Sequence, residues 1–256
     1  MRYRNYTFII IFLLSIMQTN SSADDRWNQY VKNDINQFKQ QVNFQTALIA
    51  GGWLTGMYLL SAFDEDLNHK VKPLYSGSWK SYFNTIDYLG YVPYNLPVSI
   101  GITALTMIGN DKKLQDAAFT SLQASITSII FVGATKLILG RTRPDTENGP
   151  RNFLPFTDFN SSFPSGHTAT AFALVTPWIY YYPHPLTYLL LVFPASTAVS
   201  RMVLNRHWFT DVLTGAVLGS VIGITLAKWH KELASERGFY DPLETPPKLV
   251  SFTIQL

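Results

Sequence analysis

The residues of this chain that can do chemistry lie where apolar segments of its second half begin or end. In chain order they are Lys136, Arg143, Ser165, Gly166, His167, Arg201, His207 and Asp211. Guanidinium groups bind phosphate oxygens through paired hydrogen bonds, and a lysine ammonium adds a point charge. A group of such cations together with histidines indicates binding of, and chemistry on, a phosphoryl group.

Residues 164–167 read Pro-Ser-Gly-His and directly precede an apolar stretch that we predict to be a helix. The first backbone N–H groups of a helix have no partner within it, and they bind anions readily. Glycine at this place lets an oxyanion approach the backbone closely. Such a turn, together with cations, would stabilise the equatorial oxygens of a phosphoryl group. The predicted phosphate-binding residues are Lys136, Arg143, Ser165, Gly166 and Arg201.

His207 and Asp211 are four positions apart, so they share one face if the last apolar helix begins near His207. A carboxylate that accepts from one ring nitrogen fixes the tautomer and leaves the other nitrogen free to attack phosphorus. His167 comes from a different segment, from which it could protonate the leaving oxygen. We predict that His207, His167 and Asp211 are the catalytic residues.

The apolar segments predict an all-α fold, a transmembrane bundle of about six core helices. The predicted helices are 42–62, 94–110, 117–139, 168–182, 186–200 and 211–229. Consecutive helices of such a bundle alternate in direction. The end of the third, the start of the fourth, the end of the fifth and the start of the sixth therefore meet at one face, which brings the chemistry-bearing residues together.

Composition limits the class of protein. The charged residues are 14% of the chain, against about 25% in an average soluble protein, which points toward lipid. A net charge of +3, dispersed along the chain, does not favour nucleic acid as a partner. The chain has no Cys and no carboxylate cluster suited to a metal, so we expect neither a metal nor another cofactor.

The ends of the chain differ from its centre. Residues 1–23 have the layout of a secretory signal peptide, with an uncleaved anchor as the alternative. We predict a polar N-terminal segment at 24–41, a helical domain at 42–230 and a polar tail at 231–256. Residues 64–87 are predicted to be a loop with an amphipathic piece, and the acidic residues 64–66 to be solvated.

Three stretches together resemble a known signature. Residues 136–144 read KLILGRTRP, residues 164–167 read PSGH, and residues 200–211 read SRMVLNRHWFTD. This pattern resembles the signature of the type 2 phosphatidic acid phosphatase superfamily, with every position present and the spacing unbroken. The resemblance covers roughly residues 90–230. The group includes lipid phosphate phosphatases, bacterial acid phosphatases and vanadium haloperoxidases.

The resemblance implies a helical bundle, no metal requirement and a phosphohistidine intermediate on His207. It also implies that His167 is the general acid and that Asp211 orients His207. It assigns phosphate binding to Lys136, Arg143, Ser165, Gly166 and Arg201. These roles agree with those argued from the residues themselves.

Within the superfamily, we favour a membrane phosphatase that hydrolyses a lipid phosphomonoester or pyrophosphate, with membrane lipid as its partner. Phosphatidic acid, phosphatidylglycerol phosphate, polyprenyl pyrophosphate and lipid A all offer a suitable phosphate. Headgroup choice would lie in the loop at 141–163, where Asp145, Glu147 and Arg151 are candidates.

A soluble periplasmic acid phosphatase is the alternative, because it fits the signal peptide and a mean hydropathy of +0.06. The long uncharged apolar stretches argue against it. A haloperoxidase is expected to be considerably longer. A non-catalytic anion-binding membrane protein would need the cations but not the oriented histidine.

The side of the membrane is a separate question. We expect an inner membrane of the bacterial type, with the site facing the periplasm as the family resemblance implies. A cleaved signal peptide would put residue 24 outside, and six spanning helices would then put the end of the third helix inside. Either residues 94–110 do not span, or the site faces inward, or the bundle only partly enters the bilayer.

Overall fold

The structure of the chain is a computed structural model that describes residues 21–146, 148–157 and 160–239. Within these residues the regular secondary structure is helical, apart from an isolated antiparallel bridge between Arg141 and Phe153. The helices are α1 (Ser21–Gln41), α2 (Phe44–Leu60), α3 (Asp64–Val71), α4 (Trp79–Gly90), α5 (Val92–Thr106), α6 (Lys112–Leu139), α7 (Gly166–Tyr181), α8 (Pro185–Tyr188), α9 (Val192–Val203) and α10 (Phe209–Glu236). The predicted all-α class is confirmed.

Five of the six predicted core helices correspond to single helices, namely α2, α5, α6, α7 and α10. The sixth, 186–200, is divided into the short α8, a 3-10 turn at Leu189–Leu191 and α9. The polar segment 24–41 is helical, as part of α1. Helix α10 runs to Glu236, past the predicted start of the polar tail, and residues 240–256 lie outside the described residues. The predicted signal peptide also lies outside them, except for residues 21–23 in α1.

The prediction of a loop at 64–87 was wrong, because two helices, α3 and α4, occupy most of it. The prediction that the acidic residues 64–66 are solvated was wrong for Asp64, which is fully buried. Its carboxylate accepts hydrogen bonds from Arg141, from the hydroxyl of Thr210 and from the backbone of Thr210. A buried carboxylate needs partners of this kind, and these come from residues that are distant in sequence.

Local sequence fixes both ends of α6. Asp111 caps its start by accepting from the backbone N–H of Leu114 at 2.9 Å. Gly140 ends it with φ of 61°, in the left-handed region. The loop that follows folds back against Gly140, where a Cβ would lie 1.8 Å from the carbonyl oxygen of Leu154. Only glycine fits at this position.

Helices α6, α7 and α10 form the centre of the bundle. Helices α7 and α10 approach so closely that a Cβ at Gly219 would lie 2.1 Å from the carbonyl oxygen of Ala169. Ala169 and Ala173 are fully buried at this contact. Small residues that let helix backbones meet are characteristic of helix packing in membranes. This contact holds the start of α7 against the start of α10, where the predicted catalytic residues lie.

In the part of the chain that the structure describes, four segments are long and apolar enough to cross a membrane: Phe44–Leu74, Lys112–Leu139, Pro185–Val203 and Phe209–Glu236. Large apolar side chains on their outer faces are exposed, among them Leu48, Ile130 and Val221. A water-soluble helix would carry polar residues on that face. The described chain is therefore that of a membrane protein.

The first part of helix α1 packs at the end of the bundle that is remote from Lys136 and His207. Arg26 of α1 donates to Asp116 near the start of α6, at 2.8 Å. Asp34 of α1 lies 3.0 Å from Nε2 of His230 near the end of α10. From there α1 runs along the bundle, and Phe38 in its last turn packs against Phe131 of α6. Since α6 ends and α10 begins at the other side of the bundle, residues 26–34 of α1 and the predicted site lie at opposite ends.

Candidate active site

A cavity of ≈ 920 Å³ opens at the end of the bundle where α6 ends and α7 and α10 begin. Three of the predicted site residues line it, namely Arg143, His167 and Arg201. Its other charged lining residues include Asp87, Arg141, Asp145 and Arg206. The convergence that was predicted from the alternation of helix directions is thus present in the structure for these three residues.

Arg143 is held in the loop after α6 by three hydrogen bonds. Its Nε donates to the carbonyl of Asn160 at 2.9 Å, and its Nη2 donates to the side-chain oxygen of the same residue at 3.1 Å. Its Nη1 donates to the carbonyl of Arg206 at 3.0 Å. Among the described residues, its hydrogen-bond acceptors are all neutral oxygens.

Arg201 lies in the last turn of α9 and is buried, with its Nη1 paired to the carboxylate of Asp87 on α4. Its Nε is buried and has no hydrogen-bond partner among the described residues. A buried donor without a partner costs free energy, which an anion in the cavity would recover. Asp87 was not identified from the sequence, since a single aspartate in a segment read as a loop carries no signal.

Lys136 lies in the last turn of α6 and is buried. Its ammonium donates to the carbonyl of Ser161, and the hydroxyl of Ser161 donates back to the carbonyl of Lys136 at 2.9 Å. These two contacts tie the loop before α7 to the end of α6. Lys136 does not line the cavity itself, but its charge acts on both histidines.

Ser165 precedes α7 and is fully buried. Its backbone N–H donates to the carbonyl of Asp211 at 2.9 Å, and its hydroxyl lies 3.0 Å from that of Thr168. A Cβ at Gly215 would lie 2.6 Å from the carbonyl oxygen of Ser165, so α10 passes directly against this turn. At Gly166 there is room for a Cβ, which would lie 3.4 Å from Val132, an ordinary van der Waals distance. Packing within the chain therefore does not demand glycine at position 166.

His207 lies just before α10 and is buried, with an exposed fraction of 2%. Its Nδ1 lies 3.6 Å from Oδ2 of Asp211, which is close but beyond hydrogen-bond distance, and this nitrogen has no hydrogen-bond partner among the described residues. Asp211 instead accepts from the backbone N–H of Trp208 at 2.8 Å and from Arg141 at 2.5 Å. The nitrogen remote from the carboxylate is Nε2.

His167 is the second residue of α7, and its ring stacks on Tyr91 with 5.5 Å between centroids. Burial lowers the pKa of the His167 imidazole well below its ordinary value, and the charge of Arg201 lowers it further. Burial and Arg201 lower the pKa of His207 in the same way. Both imidazoles are therefore neutral at neutral pH in the protein without substrate.

Arg141 lies beside the site but is committed to contacts within the protein. Its guanidinium donates to Asp64 at 2.7 Å, to Asp211 at 2.5 Å and to the hydroxyl of Thr210 at 2.7 Å. Its Nε donates to the carbonyl of Pro150 at 2.7 Å. It supports the Asp211 carboxylate, and with these partners satisfied it is not available to a phosphate. From the sequence alone, nothing distinguishes Arg141 from Arg143 within the stretch KLILGRTRP.

Comparisons with known proteins agree with this geometry. A family model described as the PAP2 superfamily matches residues 117–235. A lipid A 1-phosphatase of Porphyromonas gingivalis is 38% identical over 121 residues, which are 43% of this chain and 22% of that protein. A PA-phosphatase related-family protein of Dictyostelium discoideum is 28% identical over 150 residues, or 50% of this chain and 55% of that protein. The chain thus spans well under two thirds of either relative.

Among solved structures, the chain is similar to the transmembrane PAP2 type phosphatidylglycerolphosphate phosphatase of Bacillus subtilis. The TM-score is 0.57 at 21% identity, and the match covers 71% of this chain and 96% of that one. A likeness at this identity concerns the fold. It agrees with the helical bundle. Residues 117–235, which match the PAP2 superfamily model, contain all three sequence motifs.

Proposed function

We propose that this protein hydrolyses a phosphate monoester of a membrane lipid, with a phosphohistidine intermediate on His207. One observation carries the proposal. Separate parts of the chain bring Arg143, Arg201 and His167 to the wall of one cavity, and His207 is buried close to the same cations. A site for binding alone would need the cations, but it would not need two neutral imidazoles beside them.

In the first step, Nε2 of His207 attacks phosphorus and the bond from phosphorus to the lipid oxygen breaks. A neutral imidazole supplies the electron pair, and the lowered pKa of His207 keeps it neutral. His167 must be protonated to give its proton to the leaving oxygen. A bound phosphate carries negative charge that offsets the neighbouring arginines, and this raises the pKa of His167 when it is needed as an acid.

In the second step, water attacks the phosphohistidine and the bond from nitrogen to phosphorus breaks. His167, now neutral, accepts the proton of that water, and inorganic phosphate leaves. Arg143, Arg201 and Lys136 stabilise the charge on the equatorial oxygens in both steps. Asp211, held by Arg141, stabilises the positive charge that His207 gains on attack.

The position of the cavity supports a lipid substrate. Its wall is formed at the ends of helices whose outer faces are apolar, which favours a phosphate carried by a molecule held in the bilayer. The names of the relatives point in the same direction, because they include a lipid A 1-phosphatase and a phosphatidylglycerolphosphate phosphatase. A soluble acid phosphatase is disfavoured by the same exposed apolar faces.

We further propose that the site faces the periplasm. Outside the site, the described lysines at the end where α6 begins and α10 ends are Lys32, Lys112, Lys113, Lys228 and Lys231, and those at the site end are Lys70, Lys72 and Lys80. Lysine and arginine are enriched on the cytoplasmic side of membrane proteins. This arrangement needs α1 on the cytoplasmic side. A cleaved signal peptide would put α1 outside, so a site that faces the periplasm and a cleaved signal peptide are alternatives.

A substrate panel tests the function. The purified protein in detergent is given phosphatidic acid, phosphatidylglycerol phosphate, lipid A and a polyprenyl pyrophosphate, with and without chelator, and the release of inorganic phosphate is measured. We expect release from at least one lipid monoester, with or without chelator. Release that depends on added metal would contradict the proposed mechanism.

Two variants separate catalysis from binding. His207→Ala should lose hydrolysis by more than about a thousandfold, while it still binds inorganic phosphate and unfolds at a similar temperature. His184→Ala is the matched control, because His184 is an exposed histidine in the turn before α8. It should keep full activity. Full activity of His207→Ala would show that the site works in another way.

A further inference from the structure

Asp87 is an acidic side chain on the wall of a cavity whose chemistry depends on cations. It lies in the last turn of α4, ahead of the matched segment 117–235, and its carboxylate pairs with Nη1 of Arg201. The exposed fraction of the side chain is 28% for Asp87 and 8% for Arg201. The mechanism proposed above makes no use of this carboxylate. Electrostatics alone would disfavour it beside a phosphate site.

The pair is fixed by close packing between α4 and α9. A Cβ at Gly90 would lie 2.3 Å from Cγ2 of Thr197, so the two helices approach closely at this point. One residue before Arg201, the hydroxyl of Ser200 donates to a backbone carbonyl of α4 at 3.1 Å. The helix that carries Asp87 and the helix that carries Arg201 are therefore held together on both sides of the pair.

The pairing leaves one edge of the Arg201 guanidinium for a ligand. Asp87 occupies Nη1, while Nε is buried without a hydrogen-bond partner among the described residues. In the planar guanidinium, Nε and Nη2 form an edge with two parallel N–H groups, which suits two oxygens of a phosphate. A carboxylate fixed on Nη1 prevents rotation of the group and keeps this edge available.

We propose that Asp87 is a positioning residue, which holds Arg201 so that its Nε–Nη2 edge binds two oxygens of the substrate phosphate. The inference rests on the proposed phosphatase function, because the anion is taken to be a phosphate. It adds to that function a residue from α4, a helix outside the matched family segment. It also explains why a negative charge is kept beside the phosphate-binding cations.

Removal of Asp87 should change the affinity for phosphate in a direction that depends on what Asp87 does. If Asp87 acted only through its charge, its removal would strengthen the binding of an anion, because one repulsion would be lost. If Asp87 positions Arg201, its removal weakens binding, because the ligand must then order a long and mobile side chain. The two effects are opposite in direction, so a single affinity measurement distinguishes them.

The experiment is titration calorimetry of the purified full chain in detergent with inorganic phosphate. We expect Asp87→Ala to weaken phosphate binding about tenfold, the scale of one charge-assisted hydrogen bond. Asp87→Asn keeps an oxygen that can accept from Arg201, so its affinity should lie between those of Asp87→Ala and the unaltered protein. Asp145→Asn is the matched control, because it removes a cavity carboxylate that pairs with Arg206 instead. It should leave phosphate affinity unchanged or strengthen it.

A double substitution tests whether Asp87 acts through Arg201. In an Arg201→Ala background, Asp87→Ala should cause no further loss of phosphate affinity. Tighter or unchanged binding by Asp87→Ala alone, or an equal loss in both backgrounds, would overturn the proposal. If Asp87→Ala does not fold, Asp87→Asn is judged by the same criteria. Because phosphate binding is measured without a lipid, failure of the proposed function would appear separately, as binding without hydrolysis.

Discussion

Arg141 and Asp211 form a buried ion pair, in which Nη1 of Arg141 lies 2.5 Å from Oδ1 of Asp211. The same guanidinium donates to Asp64 at 2.7 Å, and the exposed fractions of Arg141 and Asp64 are 2% and 0%. Three charged residues from three parts of the chain thus meet directly behind His207. The carboxylate that was predicted to orient the nucleophile is itself placed by an arginine whose hydrogen bonds are all made within the protein.

Removing Asp64 should destabilise the protein strongly. Asp64→Ala leaves Arg141 buried with fewer compensating partners, and breaking a buried pair in this way costs about 3–5 kcal/mol. We expect a clear fall in the unfolding temperature of the purified protein in detergent, together with loss of phosphatase activity. Asp66→Ala, two residues along in the same helix and exposed, should stay within about 0.5 kcal/mol of the unaltered protein. Equal stabilities for the two variants would contradict the buried network.

Gly215→Ala should displace the turn before α7. The added Cβ would lie 2.6 Å from the carbonyl oxygen of Ser165, so either α10 or the turn must move. Because His167 follows this turn, we expect kcat to fall at least tenfold, with destabilisation of about 1–3 kcal/mol from overpacking. Gly133→Ala is the control, since no atom lies within 4 Å of its added Cβ. It should be neutral in activity and slightly stabilising, because alanine favours a helix more than glycine.

The pH dependence should differ between the free and the substrate-bound enzyme. Burial and the charge of Arg201 lower the pKa of His167 in the free enzyme to below its ordinary value of about 6.5. As the pH rises through this lowered pKa, His167 loses the proton that the leaving group needs. Bound phosphate offsets the neighbouring cations and raises that pKa. The alkaline limb of kcat should therefore lie at higher pH than the alkaline limb of kcat/KM.

Rates measured across pH on a lipid monoester would check this order. A substitution His167→Gln should greatly reduce the rate and remove the alkaline limb, because the titrating acid is gone. The same pKa in both profiles, or a lower one in kcat, would mean that His167 does not act as the general acid in the way proposed.

Helix α1 and the cavity should be labelled from opposite sides of the membrane. The chain has no Cys, so single cysteines can be introduced at Lys32 of α1 and at Thr157 of the cavity loop, both of which are exposed. With an impermeant thiol reagent and permeabilised outer membranes, Thr157→Cys should react and Lys32→Cys should react only after lysis. Reaction of both in unlysed cells would contradict the opposite placement, and the reverse pattern would place the site in the cytoplasm.

Sequence alone carried the prediction of the core helices and of their meeting at one end. Long uncharged runs, such as the one that ends near Lys136, have one favourable arrangement in lipid, which is a helix with its backbone hydrogen bonds satisfied internally. Antiparallel order then follows from short connections. The segment 64–87 was misread because its helices, α3 and α4, are short and mixed in polarity, and tertiary contacts stabilise them.

The amino-acid sequence by itself determined the helical class, the membrane character and the convergence of Arg143, His167 and Arg201 at one cavity, because these follow from apolar periodicity and from motif spacing. Only the tertiary structure decided which charges are paired with one another. Arg141 and Arg143 are two positions apart and both line the cavity, yet the guanidinium of Arg141 is paired with Asp64 and Asp211 while that of Arg143 donates to neutral oxygens. The partner of a buried charge is chosen by packing between distant segments, and spacing along the chain does not encode it.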